Sequence, residues 1–174
     1  MKLQNFAENQ WIVGSDGGKP LMSAVDGRPV ASISSAGVDF AGMLNYARNI
    51  GGPNLRQYTF HDRAFMLKDL AKYLMEQKRE FYELSTDTGA TRSDSWIDID
   101  GGISTLFVYS SKGRREMPND TVYLDGPAET LSREGTFVGQ HICTPRHGAA
   151  VHINAYNFPC WGMLEKLAPC LLAG

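Results

Sequence analysis

The chain has 174 residues, of which 43% are apolar and 21% charged, with a formal net charge of −2. This length suits one core, and the composition is that of an ordinary globular protein. The charge argues against a nucleic-acid partner, no apolar run approaches a membrane span, and no signal peptide is indicated. Cys143, Cys160 and Cys170 have unrelated spacings, which indicates reduced thiols in a cytoplasmic protein.

The first forty residues predict short strands joined by turns. Residues 11–13 read as one strand, and residues 21–25 and 30–33 read as a hairpin around the turn-forming residues 26–29. A first helix is predicted over residues 38–50, with Gly51-Gly52-Pro53 as its stop signal.

The next segment carries the clearest helical periodicity. Thr59 and Asp62 resemble a capping box with a shorter acid, and apolar residues then recur at steps of three and four as far as Leu84. The pattern is interrupted at Gln77 and Lys78. The sequence therefore predicts two helices with a bend at this interruption.

A further helix is predicted over residues 92–112. Gly101-Gly102 lies in its middle, where each Gly costs about 1 kcal/mol relative to Ala. Two glycines in a helix are therefore best explained by another element that packs closely against them. The acidic residues Asp94, Asp98 and Asp100 are expected on a solvated face.

The end of the chain predicts three strands and a helix. The strands cover residues 121–124, 136–143 and 149–153, and the helix covers residues 159–172. A strand, a polar loop and a helix form the first half of a β-α-β unit, which closes only when a second parallel strand lies beside the first. We therefore expect an α/β fold and the front part of a longer chain.

Asn157-Phe158-Pro159 joins the last predicted strand to the last helix. The plainer interpretation of an Asn just before Pro is a turn residue or helix cap. The functional interpretation is an amide donor that acts with the helix N-terminus on a developing oxyanion, in acyl transfer or aldehyde addition. The two are compatible because the same helix end serves both.

The same motif resembles the aldehyde dehydrogenase superfamily, whose members carry an Asn-Phe-Pro turn before a helix that ends in small residues and Gly. Residues 63–89 are similar to the helical region of that family. Residues 88–103 and 151–169 resemble, more narrowly, its bacterial phenylacetate-degradation branch, in which a semialdehyde dehydrogenase is paired with a hydratase-like domain that opens oxepin-CoA. The benzoyl-CoA branch is a near second choice.

The resemblance implies that residues 1–174 are the incomplete N-terminal part of a Rossmann-like dinucleotide-binding domain, with residues 128–146 as its oligomerisation hairpin. It implies NADP or NAD as cofactor and a homo-oligomer assembled through that hairpin. The substrate implied is an aldehyde, specifically a CoA-thioester semialdehyde of aromatic degradation, which is oxidised to the acid.

The resemblance also implies site residues. Asn157 matches the family's oxyanion donor, and Phe158 and Trp161 match positions that line or support the substrate channel. Four consecutive residues match the segment along the nicotinamide end of the dinucleotide: Asn154, Ala155, Tyr156 and Asn157.

The resemblance leaves the chemistry incomplete. The family's Lys-Pro segment at the adenosine ribose would begin beyond Gly174, and its general-base Glu and nucleophilic Cys lie further on. The catalytic domain is thus expected to be absent, and the 174 residues alone inactive. Cys160 sits at a helix N-terminus, which lowers a thiol pKa, yet it does not match the nucleophile motif and is expected to be a packing residue.

Two other functions stay open. A non-catalytic binding or oligomerisation module would use residues 128–146 to add a strand to a partner. A Cys160-based hydrolase would need a nearby base, for which His147 and His152 are candidates. These histidines and His141 fit no zinc-binding spacing, so no metal site is expected.

Overall fold

The computed structural model describes residues 1–174, which form six strands and six α-helices. The strands are β1 (Gln4–Ala7), β2 (Gln10–Val13), β3 (Lys19–Met22), β4 (Pro29–Ile33), β5 (Tyr123–Thr130) and β6 (Val138–Cys143). The helices are α1 (Phe40–Tyr46), α2 (Gly52–Arg56), α3 (Phe60–Ser85), α4 (Arg92–Trp96), α5 (Gly102–Arg115) and α6 (Pro159–Ala173).

The strands pair in sequence order as three separate antiparallel hairpins, β1–β2, β3–β4 and β5–β6. The predicted hairpin around residues 26–29 is β3–β4, whose turn contains Gly27 at a φ of 71°. Glycine adopts this left-handed conformation without a Cβ clash. Parallel pairing occurs at one isolated bridge, between Lys2 and Ser32.

The predicted stop at Gly51-Gly52-Pro53 is wrong, because the helix continues to Arg56. A π turn, Ala47–Gly51, joins α1 to α2, and the backbone N–H of Gly52 donates to the carbonyl of Ala47. Pro53 lies just after this π turn, in the first turn of α2.

Helix α3 is one continuous helix of 26 residues, so the predicted bend at Gln77 and Lys78 is also wrong. The ammonium of Lys78 forms an ion pair of 2.8 Å with Asp100, which lies in the π turn Ile97–Gly101. The capping box is confirmed: the Thr59 backbone N–H donates to the Asp62 carboxylate, and the Asp62 N–H donates to the Thr59 hydroxyl.

The core is made by three helices, α3, α5 and α6, together with Ile99 from the π turn Ile97–Gly101 that joins α4 to α5. Ten apolar residues are buried there: Phe60, Ala64, Leu67, Ala71, Ile99, Ile103, Leu106, Leu164, Ala168 and Leu172. Their steps of three and four along each helix put them on one stripe. Helix α6 runs through Pro169 to Ala173, so Pro169 does not shorten it.

One cation is buried beside this core. The Arg63 guanidinium lies 4.6 Å from the centre of the Phe60 ring, and its Nε donates to the carbonyl of Thr59. Burial lowers the pKa of Arg63 from its ordinary value. The stacked ring and the carbonyl offset part of the cost of removing this charge from water.

The predicted strand over residues 149–153 does not form. Residues 149–158 contain no regular secondary structure, and Val151 and Ile153 are 80% and 85% exposed. An extended apolar segment becomes a buried strand only when a neighbouring strand pairs with its backbone, and none of the described strands lies beside this one. None of the helices combines the length and apolar character that crossing a membrane requires.

Candidate functional site

The candidate site is the turn that leads into α6. Phe158 precedes the helix with φ −134° and ψ 64°, and Pro159 occupies its first turn. Proline disfavours a helical conformation in the residue before it and fits the start of a helix, so this pair sets the point where α6 begins. The side chain of Phe158 gives no cap to the helix.

The cap comes instead from Asp98, which lies in the π turn between α4 and α5. Its Oδ1 accepts the backbone N–H of Trp161 at 2.7 Å, and its Oδ2 accepts that of Cys160 at 3.3 Å. Asp98 is 4% exposed. The carboxylate thus meets the positive end of the helix dipole and two otherwise unpaired donors.

The prediction that the acidic residues form a solvated face is therefore wrong for Asp98. It is wrong for Asp100 too, which is half-buried and accepts hydrogen bonds from Lys78 at 2.8 Å and from the Tyr82 hydroxyl at 2.6 Å. Burial opposes the charge of Asp100, but these two bonds lower its pKa. Burial and the same carboxylate raise the pKa of Tyr82 to about 12.

Gly101 and Gly102 form the surface on which the first turn of α6 packs, as their position in the sequence predicts. A Cβ on Gly101 would lie 2.5 Å from Cζ3 of the Trp161 ring. A Cβ on Gly102 would lie 2.9 Å from the Trp161 backbone nitrogen and 3.0 Å from its Cα. Side-chain-free backbone at these two positions is what lets α6 approach α5 this closely.

The predicted site residues lie together on the loop before α6, with different surroundings. Asn157 is exposed, Ala155 is exposed and Tyr156 is 94% exposed. Asn154 is half-buried beside Gly162, and its Oδ1 is buried without a hydrogen-bond donor. The loop therefore offers one free amide at its end and one unused acceptor near the helix.

The two predicted channel residues flank Pro159. Phe158 is half-buried. Trp161 packs its ring over Gly101 and donates its indole N–H to Glu165 at 2.8 Å. In this arrangement Trp161 supports the start of α6 from the side of α5.

Cys160 is a packing residue beside the helical core. Burial and the negative charge of Asp98 raise the pKa of its thiol to about 11. The Asp98 carboxylate takes the helix-end N–H groups that would otherwise stabilise a thiolate, which explains why the usual lowering at a helix N-terminus is absent. This removes the basis for a Cys160-based hydrolase.

The remaining sequence features add no chemistry to the loop. The structure brings together no group of three His, Cys, Asp or Glu side chains that could hold a metal ion. The hairpin predicted over residues 128–146 is present as β5–β6 but begins earlier, at Tyr123. It exposes apolar side chains at Leu124, Leu131, Phe137, Val138 and Ile142.

The cap that Asp98 gives to α6 is the feature of this site that sequence reasoning missed. A signal was present, because Asp98 lies four residues before Gly102 and shares its helix face. A face expected to receive another element closely is not a solvated face. An acid on it therefore needed a partner, and the first turn of a helix is a suitable one.

Comparison with known proteins finds similarity along the whole chain. The sequence model of the aldehyde dehydrogenase family matches residues 11–174. The chain is 39% identical over 175 residues to 3,4-dehydroadipyl-CoA semialdehyde dehydrogenase of Aromatoleum evansii, which covers all of this chain and 34% of the relative. The chain thus spans about a third of the length of this curated relative.

Among solved structures, the fold is similar to that of 3,6-anhydro-L-galactose dehydrogenase in complex with NADP, with a TM-score of 0.77 and 20% identity. The match covers 99% of this chain and 35% of that one. This likeness confirms the predicted architecture of mixed helices and strands as the N-terminal part of that fold.

Proposed function

The chain belongs to the aldehyde dehydrogenase family, and from that membership we propose that the protein oxidises an aldehyde to a carboxylic acid with NADP or NAD. We propose a CoA-thioester semialdehyde of aromatic-compound degradation as the substrate. The support for this class is the relative that is 39% identical along the whole chain, which is a dehydrogenase of such a semialdehyde.

The observation that carries the proposal is the free side-chain amide of Asn157 at the start of α6. The backbone N–H groups of Cys160 and Trp161 are already bonded to Asp98. The exposed amide of Asn157 is therefore the donor that this turn can offer to a substrate. Its role is to stabilise the oxyanion that develops when the aldehyde carbonyl is attacked.

Asn154, Ala155, Tyr156 and Asn157 are the residues proposed to line the dinucleotide. The buried Oδ1 of Asn154 lacks a donor, and a dinucleotide carries hydroxyl and amide N–H groups that can supply one. The residues present therefore fit the group. When bound, the cofactor supplies the hydride acceptor of the reaction. Phe158 and Trp161 are proposed to line or support the substrate channel.

The nucleophile is proposed to lie outside these 174 residues. Attack on an aldehyde needs a thiolate, and the raised pKa of Cys160, about 11, leaves it protonated at neutral pH. The general-base Glu is proposed to lie outside them as well. We therefore expect the 174 residues by themselves to be inactive in aldehyde oxidation.

The hairpin β5–β6 is the segment proposed to assemble a homo-oligomer, through residues 128–146. Its exposed apolar side chains, such as Phe137 and Val138, support a role in contact with another chain. The same exposure favours the second candidate function, a non-catalytic binding or oligomerisation module. The cytoplasm remains the predicted location.

The deciding experiment measures kcat and KM of the intact protein with a CoA-thioester semialdehyde and with the same aldehyde lacking CoA. Asn157→Ala should lower kcat by about 10²- to 10³-fold, the usual cost of one oxyanion donor. Asn119→Ala, at an exposed position outside the loop, should leave kcat unchanged. Unchanged kcat in Asn157→Ala would refute the oxyanion role, and absence of oxidation by the parent would favour the binding module.

A further inference from the structure

Asp98 joins two parts of the chain that are distant in sequence. It lies between α4 and α5 and contacts backbone groups 62 and 63 residues later. Those groups belong to Cys160 and Trp161, which follow Asn157 by three and four positions. The contact therefore links the π turn before α5 to the helix turn that directly follows the proposed oxyanion donor.

The geometry of this contact restrains both position and rotation. The two oxygens of one planar carboxylate accept from two successive backbone N–H groups, at 2.7 and 3.3 Å. A single bond would leave the helix free to pivot, whereas two bonds to a side chain that is 4% exposed do not. The positive end of α6 compensates the negative charge of Asp98.

The packing around α6 also restrains its distance from α5. Gly102 brings the backbone of Trp161 so near to α5 that an added Cβ would overlap it, at 2.9 Å from its nitrogen. The loop upstream has no comparable support: residues 149–158 make no strand pairing, and Ile153 and Tyr156 are 85% and 94% exposed. Upstream of Asn157, the half-buried Asn154 lies beside Gly162, whereas on the downstream side Asp98 holds the first turn of α6 through two hydrogen bonds.

We propose that Asp98 is a positioning residue, which fixes the direction of the Asn157 amide by holding the first turn of α6 against α5. This inference rests on the proposed function of Asn157 as the oxyanion donor. Asp98 touches neither substrate nor cofactor in this role. Its effect on the reaction passes through Phe158 and Pro159, which separate Asn157 from the capped N–H of Cys160.

Three variants of the intact protein separate charge, shape and hydrogen bonding. Asp98→Asn keeps the shape but has one acceptor oxygen, so its NH₂ faces one of the two backbone N–H donors. Asp98→Ala removes both acceptors, and Asp98→Glu retains both with a longer side chain. Asp69→Asn is the control, because Asp69 is exposed and pairs only with Lys72 at 3.6 Å.

A small displacement of a positioned group lowers kcat more than it weakens substrate binding. A misplacement of about 1 Å can lower the rate by about 10²-fold. We expect Asp98→Asn and Asp98→Ala to lower kcat by about 10- to 100-fold, with KM for the aldehyde within about threefold. Asp98→Glu should recover part of kcat. Asp69→Asn should match the parent.

A second measurement does not depend on activity. Backbone hydrogen exchange of residues 154–161, followed by mass spectrometry, should be faster in Asp98→Asn than in the parent. Alkylation of Cys160 should also accelerate, with Cys143 and Cys170 in the same digest as exposed references. Unchanged exchange in both Asp98→Asn and Asp98→Ala would overturn the proposal, even if the parent proves to lack dehydrogenase activity.

The double variant Asp98→Asn with Asn157→Ala distinguishes this proposal from the one it rests on. If Asp98 acts through Asn157, Asp98→Asn should cost nothing further once Asn157 is Ala. An equal additional loss would overturn the positioning role and leave Asn157 as the donor. Faster hydrogen exchange in Asp98→Asn with a parental kcat would also overturn the positioning role. Full activity of Asn157→Ala would refute both the positioning role of Asp98 and the oxyanion role of Asn157.

Discussion

Helices α3, α5 and α6, with Ile99, bury ten apolar residues against one another, whereas residues 149–158 bury none and carry nearly every site residue predicted from the sequence. The helices satisfy their backbone groups internally, so they need only a shared apolar stripe to pack. The segment before α6 is just as apolar in places, but its backbone requires a neighbouring strand. The comparison shows that apolar sequence produces burial only where the hydrogen bonding of the backbone is also provided.

The largest effect should come from the core. Leu106→Ala in the 174-residue chain should lower the free energy of unfolding by about 2–5 kcal/mol, because Leu106 is fully buried and a cavity would remain. Ile153→Ala, at 85% exposure, should change it by less than about 0.5 kcal/mol. Chemical denaturation measures both. A comparable loss at Ile153 would mean that residues 149–153 pack as the buried strand that the sequence predicts.

A smaller loss in the free energy of unfolding should follow from adding a side chain where α6 packs on α5. Gly102→Ala gains about 1 kcal/mol of helix propensity but forces a Cβ against backbone of Trp161, and overpacking costs about 1–3 kcal/mol. We therefore expect a net loss of about 1 kcal/mol in thermal or chemical unfolding.

Gly51→Ala is the matched control for Gly102→Ala. Its Cβ would meet nothing nearer than 3.9 Å, so it should stabilise the chain by about 0.5–1 kcal/mol. A gain at both positions would show that α6 is not held against α5 as closely as the structure has it.

The smallest effect concerns Cys160. Its pKa of about 11, against an ordinary 9.0, makes the thiolate about 100-fold scarcer at pH 8. A more basic thiolate is also more nucleophilic, which raises its rate of alkylation by about tenfold and offsets part of this loss. Iodoacetamide should therefore alkylate Cys160 about tenfold more slowly than Cys143 and Cys170, as read by peptide mass spectrometry. Faster alkylation of Cys160 than of both references would revive a reactive role.

The sign of the pH effect follows from the same shift. The folded thiol of Cys160 holds its proton to a higher pH than the unfolded one, so the stability it contributes is fully present below about pH 9. That contribution is lost as the pH rises through 9 toward about 11. Unfolding of the parent and of Cys160→Ala over this range should converge.

Local patterns predicted much of the fold. The capping box at Thr59 and Asp62, the hairpin β3–β4, and the close approach at Gly101 and Gly102 follow from residues near one another in sequence. The hairpin at residues 128–146 was implied by the family resemblance and not by a local pattern. The resemblance carried by Asn157-Phe158-Pro159 led to the family, which the match over residues 11–174 confirms. The roles assigned to residues 154–158 and Trp161 stay predictions.

Two of the errors concern how segments meet other parts of the chain, and one concerns the local geometry of a helix. Lys78 lies within the continuous helix α3, and its ammonium donates to the Asp100 carboxylate, 22 residues away in the π turn Ile97–Gly101. Residues 149–153 stay unpaired because no described strand lies beside them. Gly51-Gly52-Pro53 failed as a stop because a π turn shifted the hydrogen-bond register by one residue.

By itself, the sequence determined most of the helices, the hairpin β3–β4, where α3 and α6 begin, and to which family the chain belongs, because these depend on neighbours a few residues apart and on recognisable motifs. Only the tertiary structure decided that Asp98 caps α6 and that Cys160 keeps its proton. The cap depends on a carboxylate 62 residues before Cys160, whose contact exists only after α5 and α6 have packed. The raised pKa of Cys160 depends first on its burial by the same packing and then on the charge of that carboxylate.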